Sequence, residues 1–559
     1  MKNEISDCLK EAWKIIKEEN NFSSDIRIKF IVMETKDQRF GDLSSNVAMQ
    51  LAKQVNRQPM DLAELFIKKL EELARSGPVP FSSTQAHAPG FINFFLKSDS
   101  FYDVLSEIMK KKSEYGFQKK GSRNKKVLIE YVSANPTGPL TLAHARQAVV
   151  GDVISNLLEA DGYHVHREYY LNDRGLQIET LGKSIYLRYL EICGEKIEFP
   201  EDAYQGEYII QIAQEIYEKD QKKWVEENEK TNEYFSEYGK SLIMKWIKKS
   251  LDQARVCFDE YFSEEKFVQT SAISEVLDIF KENNLSYQKD NATWFKSTQF
   301  DDDKDRVLIR SNGKMTYITP DIAYHKNKFK RGYDLLINIW GPDHHGYIPR
   351  MMAAMMALGY KKEQLKVIIL QLSTLYEGDK KLSMSTRKGE FITQDEVIKE
   401  VGVDAARFFF CMRTTDAHLD FDLNLAKEKS PDNPVYYVQY AHARICNILR
   451  VAGDKGYDID LTTQNVSLSM LTENQEKEII KHLGRFSDVI HKSATQNQPC
   501  KLTEYLKDLA RLFHSYYNKT RVVGEDKELS LTRLYFIKCI RQVIAGGLGL
   551  LKIDAPEKM

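Results

Sequence analysis

Several polar side chains directly follow strand-like runs and could hold a charged ligand. Glu130 ends the apolar part of "KKVLIEYVS", and Tyr317 and Asp321 lie in "YITPDIAYHK". Open α/β sheets bind ligands at the carboxyl ends of their strands. Two carboxylates and a ring suit a cationic substrate, because carboxylates pair with a guanidinium fork and the ring lies against its face. The alternative is that Asp321 caps a helix and Glu130 pairs with a nearby lysine.

A second candidate site is the turn "ANPTGPLTLAHARQAVVGD", residues 134–152. It predicts a Pro/Gly turn after a strand, followed by a helix from about Thr141 to Ala160. Unpaired N–H groups at a helix N-terminus favour an ATP phosphate, and His144 lies about one turn into this helix. Alternatively, Thr141 is only an N-cap and His144 a surface histidine. The chain's two Gly-Lys-Ser triplets lack the earlier glycine of a phosphate loop.

Two further segments follow strands and carry polar groups. Asp343, His344 and His345 lie in "NIWGPDHHGYIPR". Neighbouring strand residues point to opposite faces and no third histidine lies at a fitting spacing, so we expect no protein-bound metal. The loop "GDKKLSMSTRKGEFIT", residues 378–393, is cationic and rich in hydroxyl groups. Such a loop can close on a triphosphate and neutralise charge that develops at phosphorus.

The elements that must position these residues follow from the periodicity of the apolar residues. Helical patterns alternate with short strands over residues 1–115, which predicts an α+β domain. Strand-like runs separated by helices over residues 122–425 predict a Rossmann-like α/β domain with a parallel sheet. A charged helical stretch at about 195–290 is typical of an insertion. Residues 432–559 are helical throughout, which predicts an all-α bundle.

Composition limits the class of protein. A chain of 559 residues is long enough for about three or four domains. Seven scattered cysteines without a Cys-x-x-Cys pair favour a reducing cytoplasm, and no apolar run is long enough to span a membrane. A net charge of −1 gives no overall attraction to nucleic acid. Residues 431–559 carry 18 Lys and Arg against 15 Asp and Glu, interleaved with tyrosines, which is permissive for RNA binding and equally typical of helical bundles.

Taken in chain order, these segments resemble the class I aminoacyl-tRNA synthetases, and specifically the arginyl-tRNA synthetases. The turn "NPTGPLTLAHARQAVVGD" lies where that family has its His-Ile-Gly-His signature, and "MSTRKGEFIT" lies at its second signature. "VGVDAARFFFCMR" and "NPVYYVQYAHARI" are similar to the sequences that this family has in these segments. "GDLSSNVAMQLAK" and "APGFINFFLK" are similar to the N-terminal domain of arginyl enzymes. The resemblance covers nearly the whole chain.

The resemblance implies a two-step reaction. The carboxylate of L-arginine attacks the α-phosphorus of ATP, supplied as its Mg²⁺ complex, and the arginyl group then passes to the terminal adenosine of arginine tRNA. Neither step needs a protein nucleophile, so positioning and charge stabilisation carry the catalysis. We expect a cytoplasmic monomer that binds no membrane. The alternatives are a tRNA-binding paralogue that has lost catalysis and another nucleotidyl-transferring enzyme of the superfamily.

The resemblance also implies roles for individual residues. The arginine-binding residues are implied to be Glu130, Asn135, Tyr317 and Asp321. The residues implied to bind ATP are Pro136, Gly138, His144, Gly341, Asp343, His344, His345 and Met384. The implied catalytic residues are His144, Thr141, Ser385 and Arg387. The residues implied to contact tRNA are Tyr440, Tyr516, Tyr517 and Met559. The alternative for Tyr516 is core packing, because it falls on the apolar stripe of its helix.

This sequence departs from the family pattern at both signatures. Thr141 replaces the first histidine and keeps a hydroxyl without a charge, and Ala143 replaces the glycine. Ser383 and Thr386 replace the lysines of the second signature. The cations that lie close enough to substitute for those lysines are Lys380, Lys381, Arg387 and Lys388. Loss of a phosphate contact that strengthens in the transition state costs about 3–4 kcal/mol.

Overall fold

The computed structural model describes residues 2–23, 25–26, 28, 30–35, 37–378, 380–382, 392–460 and 466–559, without the side chains of residues 3 and 98–100. The chain divides into two compact units, which we describe separately. The first comprises Met1–Lys112, Ile448–Arg485 and Leu512–Val543. The second comprises Ser113–Asn447, Phe486–Arg511 and Ile544–Met559. Among the described residues, no helix is both long enough and apolar enough to cross a bilayer.

The N-terminal part of the first unit is an α+β arrangement. Its elements are α1 (Lys2–Glu19), β1 (Val32–Glu34), β2 (Leu43–Ser45), α2 (Val47–Ala52), α3 (Pro59–Ser76), β3 (Phe81–His87), β4 (Phe91–Leu96) and α4 (Ser98–Lys111). The strands form an antiparallel sheet in the order β1-β2-β4-β3. Helices α2 and α3 belong to the helical pattern predicted over residues 1–115, and Pro59 occupies the first position of α3, where a missing N–H costs nothing. The α+β prediction is confirmed.

The second unit begins with alternating strands and helices. Its first elements are β5 (Lys126–Glu130), α5 (Leu142–Ala160), β6 (His164–Leu171), α6 (Leu176–Cys193), α7 (Glu207–Asp220), α8 (Glu229–Gln253), β7 (Glu260–Ser263), α9 (Glu264–Val268), α10 (Ala272–Glu282), β8 (Ser286–Lys289), β9 (Ala292–Phe295) and β10 (Arg306–Ile309). It continues with α11 (Ile318–Lys330), β11 (Leu335–Trp340), α12 (Ile348–Ala357), β12 (Leu365–Ile369), β13 (Ser373–Glu377), β14 (Lys380–Lys381), α13 (Gln394–Val401), α14 (Val403–Phe410), β15 (Leu419–Asp422) and α15 (Leu423–Lys427).

The central sheet of this unit has the order β12-β11-β5-β6-β7, and all neighbouring strands are parallel. Four of the five residues of β5 are buried, as expected for a parallel strand with both faces covered. The chain runs from β5 outward through β6 to β7 and later returns to the other side of β5 with β11. The strand order therefore reverses between β5 and β11, and ligands bind beyond the carboxyl ends of strands at such a point.

The predicted helical insertion at 195–290 is only partly helical. Helices α7 and α8 lie in this range, but β7 pairs in parallel with β6 and so belongs to the central sheet. Because β7 has only four residues, "EYFS", all half-buried, it lacks an apolar strand signal. Two small sheets, in the orders β10-β9-β8 and β14-β13-β15, complete the strands of the second unit that the structure describes.

The described residues after α15 form helices and their connections, as predicted. The α-helices are α16 (Pro434–Asp454), α17 (Asn474–Gly484), α18 (Phe486–Gln496), α19 (Cys500–Lys519) and α20 (Lys527–Leu550). Helix α19 buries Leu502, Leu506, Leu509 and Phe513, which recur every three to four residues and form one apolar stripe. Amphipathic periodicity therefore sufficed to predict these helices.

Candidate active site

Glu130, the last residue of β5, lies at the point where the strand order of the central sheet reverses. Its carboxylate forms an ion pair with Lys328, whose side chain is fully buried, and it accepts a hydrogen bond of 3.1 Å from the Ser133 hydroxyl. The pairing with a lysine that the sequence left as an alternative is therefore present. Glu130 is held in place before any ligand binds.

Asp321 lies in the first turn of α11 and faces the same crevice. Its Oδ2 accepts a hydrogen bond of 2.5 Å from the Tyr347 hydroxyl. Burial raises the pKa of Asp321 to about 7; the charges of Glu130 and Glu264 add to the rise, whereas Tyr347 and Lys328 oppose it. Tyr317 directly precedes α11 and its side chain is 84% exposed, so its ring lies open at this end of the helix.

Glu264 is a third carboxylate of the crevice, and sequence reasoning missed it. It is the first residue of α9, directly after β7, and is half-buried. Burial raises its pKa, while a hydrogen bond with Tyr170 opposes that rise. The sequence signal was its place at the carboxyl end of a strand, but the four residues of β7 were not predicted as a strand. Glu130, Asp321 and Glu264 together make the crevice strongly negative.

A chain of buried polar side chains connects Glu130 with Asp321. Lys328 Nζ donates to Asn338 Oδ1 over 3.2 Å, and Asn338 Nδ2 lies 2.6 Å from His325 Nε2. His325 Nδ1 lies 2.8 Å from the carbonyl oxygen of Asp321. Burial and the nearby lysine lower the pKa of His325 to about 3, so its ring is neutral. We call Lys328, Asn338 and His325 the buried network.

The predicted turn before α5 has the expected strand–turn–helix form. Thr141 is the N-cap of α5, and its N–H donates to His144 Nδ1 over 3.2 Å. Because Nδ1 accepts this hydrogen, the proton of the neutral ring lies on Nε2. Burial lowers the pKa of His144 to about 4, so the ring stays neutral near pH 7. The capping role left open for Thr141 is present, and it fixes the tautomer of His144.

The backbone between β5 and α5 is strained, and hydrogen bonds hold it in this conformation. Val132 and Ser133 have φ angles of 67° and 41°, a region that a β-branched residue such as valine rarely adopts. This conformation lets the Ser133 hydroxyl bridge Glu130 and the N–H of Tyr170, the latter over 3.1 Å. Strain of this kind costs about 1–3 kcal/mol and persists where the surroundings enforce it.

Side chains farther along the turn are also tied to neighbouring helices. Asn135 Nδ2 donates to Gln177 Oε1 over 2.5 Å, and Pro136 is buried. The Tyr208 hydroxyl donates to the Thr137 carbonyl oxygen over 2.8 Å. A Cβ at Gly138 would lie 3.1 Å from that hydroxyl, so a larger residue there would displace the brace.

The segment after β11 carries four of the predicted ATP residues. Gly341 directly follows the strand, and the 3-10 helix Pro342–Tyr347 contains Asp343, His344 and His345. Asp343, His344 and His345 are exposed at the edge of the crevice, and His344 Nε2 lies 3.5 Å from Asp343 Oδ2. A Cβ at Gly341 would lie 2.6 Å from Asp343 Oδ1, so a larger residue there would have to displace that exposed side chain. The predicted ATP residues that the structure describes therefore follow β5 and β11 at the same edge of the sheet.

Among the described residues, one group of three side chains could hold a metal ion. It does not include any of the predicted ATP or arginine residues. It consists of His166, Glu168 and Glu260 on β6 and β7. The guanidinium of Arg331 lies 2.6 Å from Glu168 and 2.9 Å from Glu260. A protein cation thus already occupies the position between these two carboxylates.

The remaining predicted residues divide into two groups. Met384, Ser385 and Arg387 lie outside the described residues, as do the positions of both replaced lysines. Among the predicted tRNA contacts, Tyr517 and Met559 are 37% and 51% exposed, and the Tyr440 hydroxyl accepts a 2.8 Å hydrogen bond from Arg444.

Tyr516 requires a correction. It is fully buried and its hydroxyl donates to Glu476 Oε1 over 2.9 Å, so its ring packs in the core and cannot stack on a nucleotide base.

Comparison with known proteins agrees with this architecture. The family model for the class I (R) tRNA synthetase catalytic domain matches residues 104–420. Models for the arginyl tRNA synthetase N-terminal domain and the DALR anticodon binding domain match residues 1–96 and 438–559. The fold and the site therefore define a class I aminoacyl-tRNA synthetase.

Individual relatives narrow this class. The arginine–tRNA ligase of Oceanobacillus iheyensis is 44% identical over 531 residues, covering 95% of this chain and 94% of its own. That of Syntrophotalea carbinolica is 45% identical over 520 residues, covering 93% of each chain. The chain therefore belongs to the arginyl-tRNA synthetase family. The solved Thermus thermophilus arginyl-tRNA synthetase, 20% identical, matches the fold over 100% of both chains with a TM-score of 0.76.

Proposed function

We propose that the chain is an ATP-dependent arginine–tRNA ligase whose arginine pocket is the acidic crevice between β5 and β11. The single observation that carries this assignment is the placement of three carboxylates: Glu130 ends β5 and pairs with Lys328 on the helix that carries Asp321, and Glu264 follows β7 of the same sheet. Three carboxylates beside aromatic rings match a substrate with two cationic groups, a guanidinium and an ammonium. A paralogue without catalysis has no use for such a pocket, so we favour the active enzyme.

The first step joins arginine to AMP. Asp321 and Glu264 hold the guanidinium, and Tyr317 covers it. Glu130 and Asn135 hold the α-amino end, so that the α-carboxylate points toward ATP. An oxygen of that carboxylate attacks the α-phosphorus, the bond to the β-phosphate oxygen breaks, and pyrophosphate leaves. Mg²⁺ enters with ATP as part of the substrate complex and stabilises charge on the phosphates.

His144 supports this step from the N-terminus of α5. Its Nε2–H donates to a phosphate oxygen, because Nδ1 is engaged by the Thr141 N–H. A neutral donor keeps its proton throughout the reaction, so His144 stabilises charge and transfers no proton. Pro136 and Gly138 shape the turn, and Gly341, Asp343, His344 and His345 border the ribose and adenine.

The second step transfers arginine to tRNA. A hydroxyl of the terminal adenosine attacks the activated carbonyl carbon, the mixed anhydride breaks, and AMP leaves. The exposed Tyr517 and Met559, together with Tyr440, contact the tRNA. We further propose that the chain acts as a cytoplasmic monomer. Its seven cysteines, all among the described residues, form no disulfide, which supports a reducing compartment.

Charging of tRNA with labelled arginine tests this function. We expect ATP-dependent charging by the unmodified chain and a raised arginine KM in Glu264→Gln. The matched control is Glu265→Gln, on the next residue, where the carboxylate lies 3.3 Å from Lys240. His144→Ala should lower kcat and leave the arginine KM nearly unchanged. Tight tRNA binding without any charging would contradict the proposal.

A further inference from the structure

Lys328 is a fully buried cation beside the arginine pocket, and the reaction proposed above gives it no role. Its side chain projects from α11, the helix that also carries Asp321. A buried ammonium is costly unless it is paired and hydrogen-bonded. The fold therefore has to supply partners for it, and the identity of those partners indicates what it does.

All partners of Lys328 belong to the pocket or its supporting side chains. Nζ pairs with Glu130 at the end of β5 and donates to Asn338 on β11 over 3.2 Å. It also lies 4.2 Å from the centre of the Tyr324 ring. Lys328 thus connects β5 and β11, between which the strand order reverses, with α11, the helix that carries Asp321.

The charges of the pocket explain why a cation is needed there. Three carboxylates, Glu130, Asp321 and Glu264, lie close enough for the charges of the other two to act on Asp321. Without a countercharge they would repel one another, and the Glu130 carboxylate would lose the partner that holds it in place. When all three carboxylates are ionised, one ammonium leaves two net negative charges, which equals the number of cationic groups on arginine.

We propose that Lys328 is a positioning residue for arginine recognition, which fixes the Glu130 carboxylate toward the substrate and matches the pocket's charge to the two cationic groups of arginine. This inference rests on the proposed role of Glu130 and Asp321 in binding arginine. Asn338 and His325 also orient the ammonium of Lys328. Asn338 Oδ1 accepts a hydrogen bond from the ammonium, and Asn338 Nδ2 contacts Nε2 of the neutral His325 ring. Lys328 touches no substrate atom.

The first test is Lys328→Met, measured by tRNA charging. We expect the arginine KM to rise about tenfold or more, within the range of couplings between residues in contact, and the ATP KM to stay within about twofold. The matched control is Lys330→Met on the same helix, whose lysine is 69% exposed and pairs with Glu275 on the surface. An unchanged arginine KM, or an equal rise in both KM values, would overturn the proposal.

The second test separates positioning from a general structural role by repeating the substitution in Glu130→Gln. If Lys328 acts through Glu130, it has nothing left to position in that background. Removing its positive charge should then leave arginine binding unchanged or make it tighter, since one repulsive cation is gone. A further rise in the arginine KM of the double variant over Glu130→Gln would overturn the proposal.

The double variant keeps the proposal testable even if Lys328→Met alone fails to fold. If Lys328→Met alone does not fold, the double variant still removes both buried charges together, and its KM is compared with that of Glu130→Gln. The proposed function has a separate outcome. If Glu130→Gln and Asp321→Asn both leave the arginine KM unchanged, the pocket assignment fails, whatever Lys328 does.

Discussion

We predict that the raised pKa of Asp321 makes arginine binding sensitive to pH in a range where an ordinary aspartate would not. Burial raises this pKa to about 7, with Glu130 and Glu264 adding to the rise. A carboxylate must be ionised to pair with a guanidinium, so arginine binding weakens as the pH falls through 7. One pH unit below the pKa, ionising the group costs about 1.4 kcal/mol, which corresponds to about a tenfold weaker affinity.

The assay is tRNA charging between pH 5.5 and 8.5 at saturating ATP and tRNA. We expect the arginine KM to be about tenfold higher at pH 6 than at pH 8. The pKa values of His144 and His325, about 4 and about 3, place their titration below this range, so neither ring changes its charge. Asp321→Asn should show a high arginine KM that is independent of pH.

Two results would refute this reasoning. A wild-type arginine KM that is constant between pH 6 and 8 means that Asp321 is ionised throughout, as at its ordinary pKa of 3.8. A pH dependence that persists unchanged in Asp321→Asn assigns the titration to another group.

The remaining expectations concern stability and tRNA binding. Asp152→Asn leaves the fully buried guanidinium of Arg407 without its carboxylate, which lies 2.6 Å away, and should cost about 3–5 kcal/mol in urea unfolding; a cost below about 1 kcal/mol contradicts this. Tyr516→Phe removes the hydrogen bond to Glu476 and should destabilise the protein by about 1–3 kcal/mol without raising the tRNA KM; a raised KM would return Tyr516 to the tRNA surface. Tyr517→Ala should raise the tRNA KM, by a factor equivalent to about 1–3 kcal/mol of binding free energy if a base stacks on the ring. An unchanged tRNA KM would remove Tyr517 from the tRNA interface.

The sequence sufficed for most of the fold because the decisive elements carry strong local signals. Strands β5 and β11 are nearly continuous apolar runs, and the amphipathic helices repeat every three to four residues. Strand β7 escaped prediction because four half-buried residues carry no such signal. Missing β7 also hid Glu264, whose place in the crevice follows from the position of that strand.

Part of the candidate site was predictable from the sequence, but its connections were not. Glu130 and Asp321 were proposed from their place after strands and from the family resemblance, whereas Glu264 was missed. The ion pair between Glu130 and Lys328 joins residues 198 positions apart, and no local pattern indicates such a partner. The tautomer of His144 likewise depends on a hydrogen bond that forms only when Thr141 caps the helix.

Discrimination between arginine and citrulline tests the acidic crevice most directly, because citrulline has nearly the same shape without the guanidinium charge. The purified chain is incubated with tRNA, ATP and each labelled amino acid in turn, and acid-stable label on tRNA is measured. We expect arginine to be attached and citrulline to be rejected, with Asp321→Asn losing most of its preference. Equal attachment of both amino acids, or attachment of neither to tRNA that is bound, would contradict recognition by the three carboxylates.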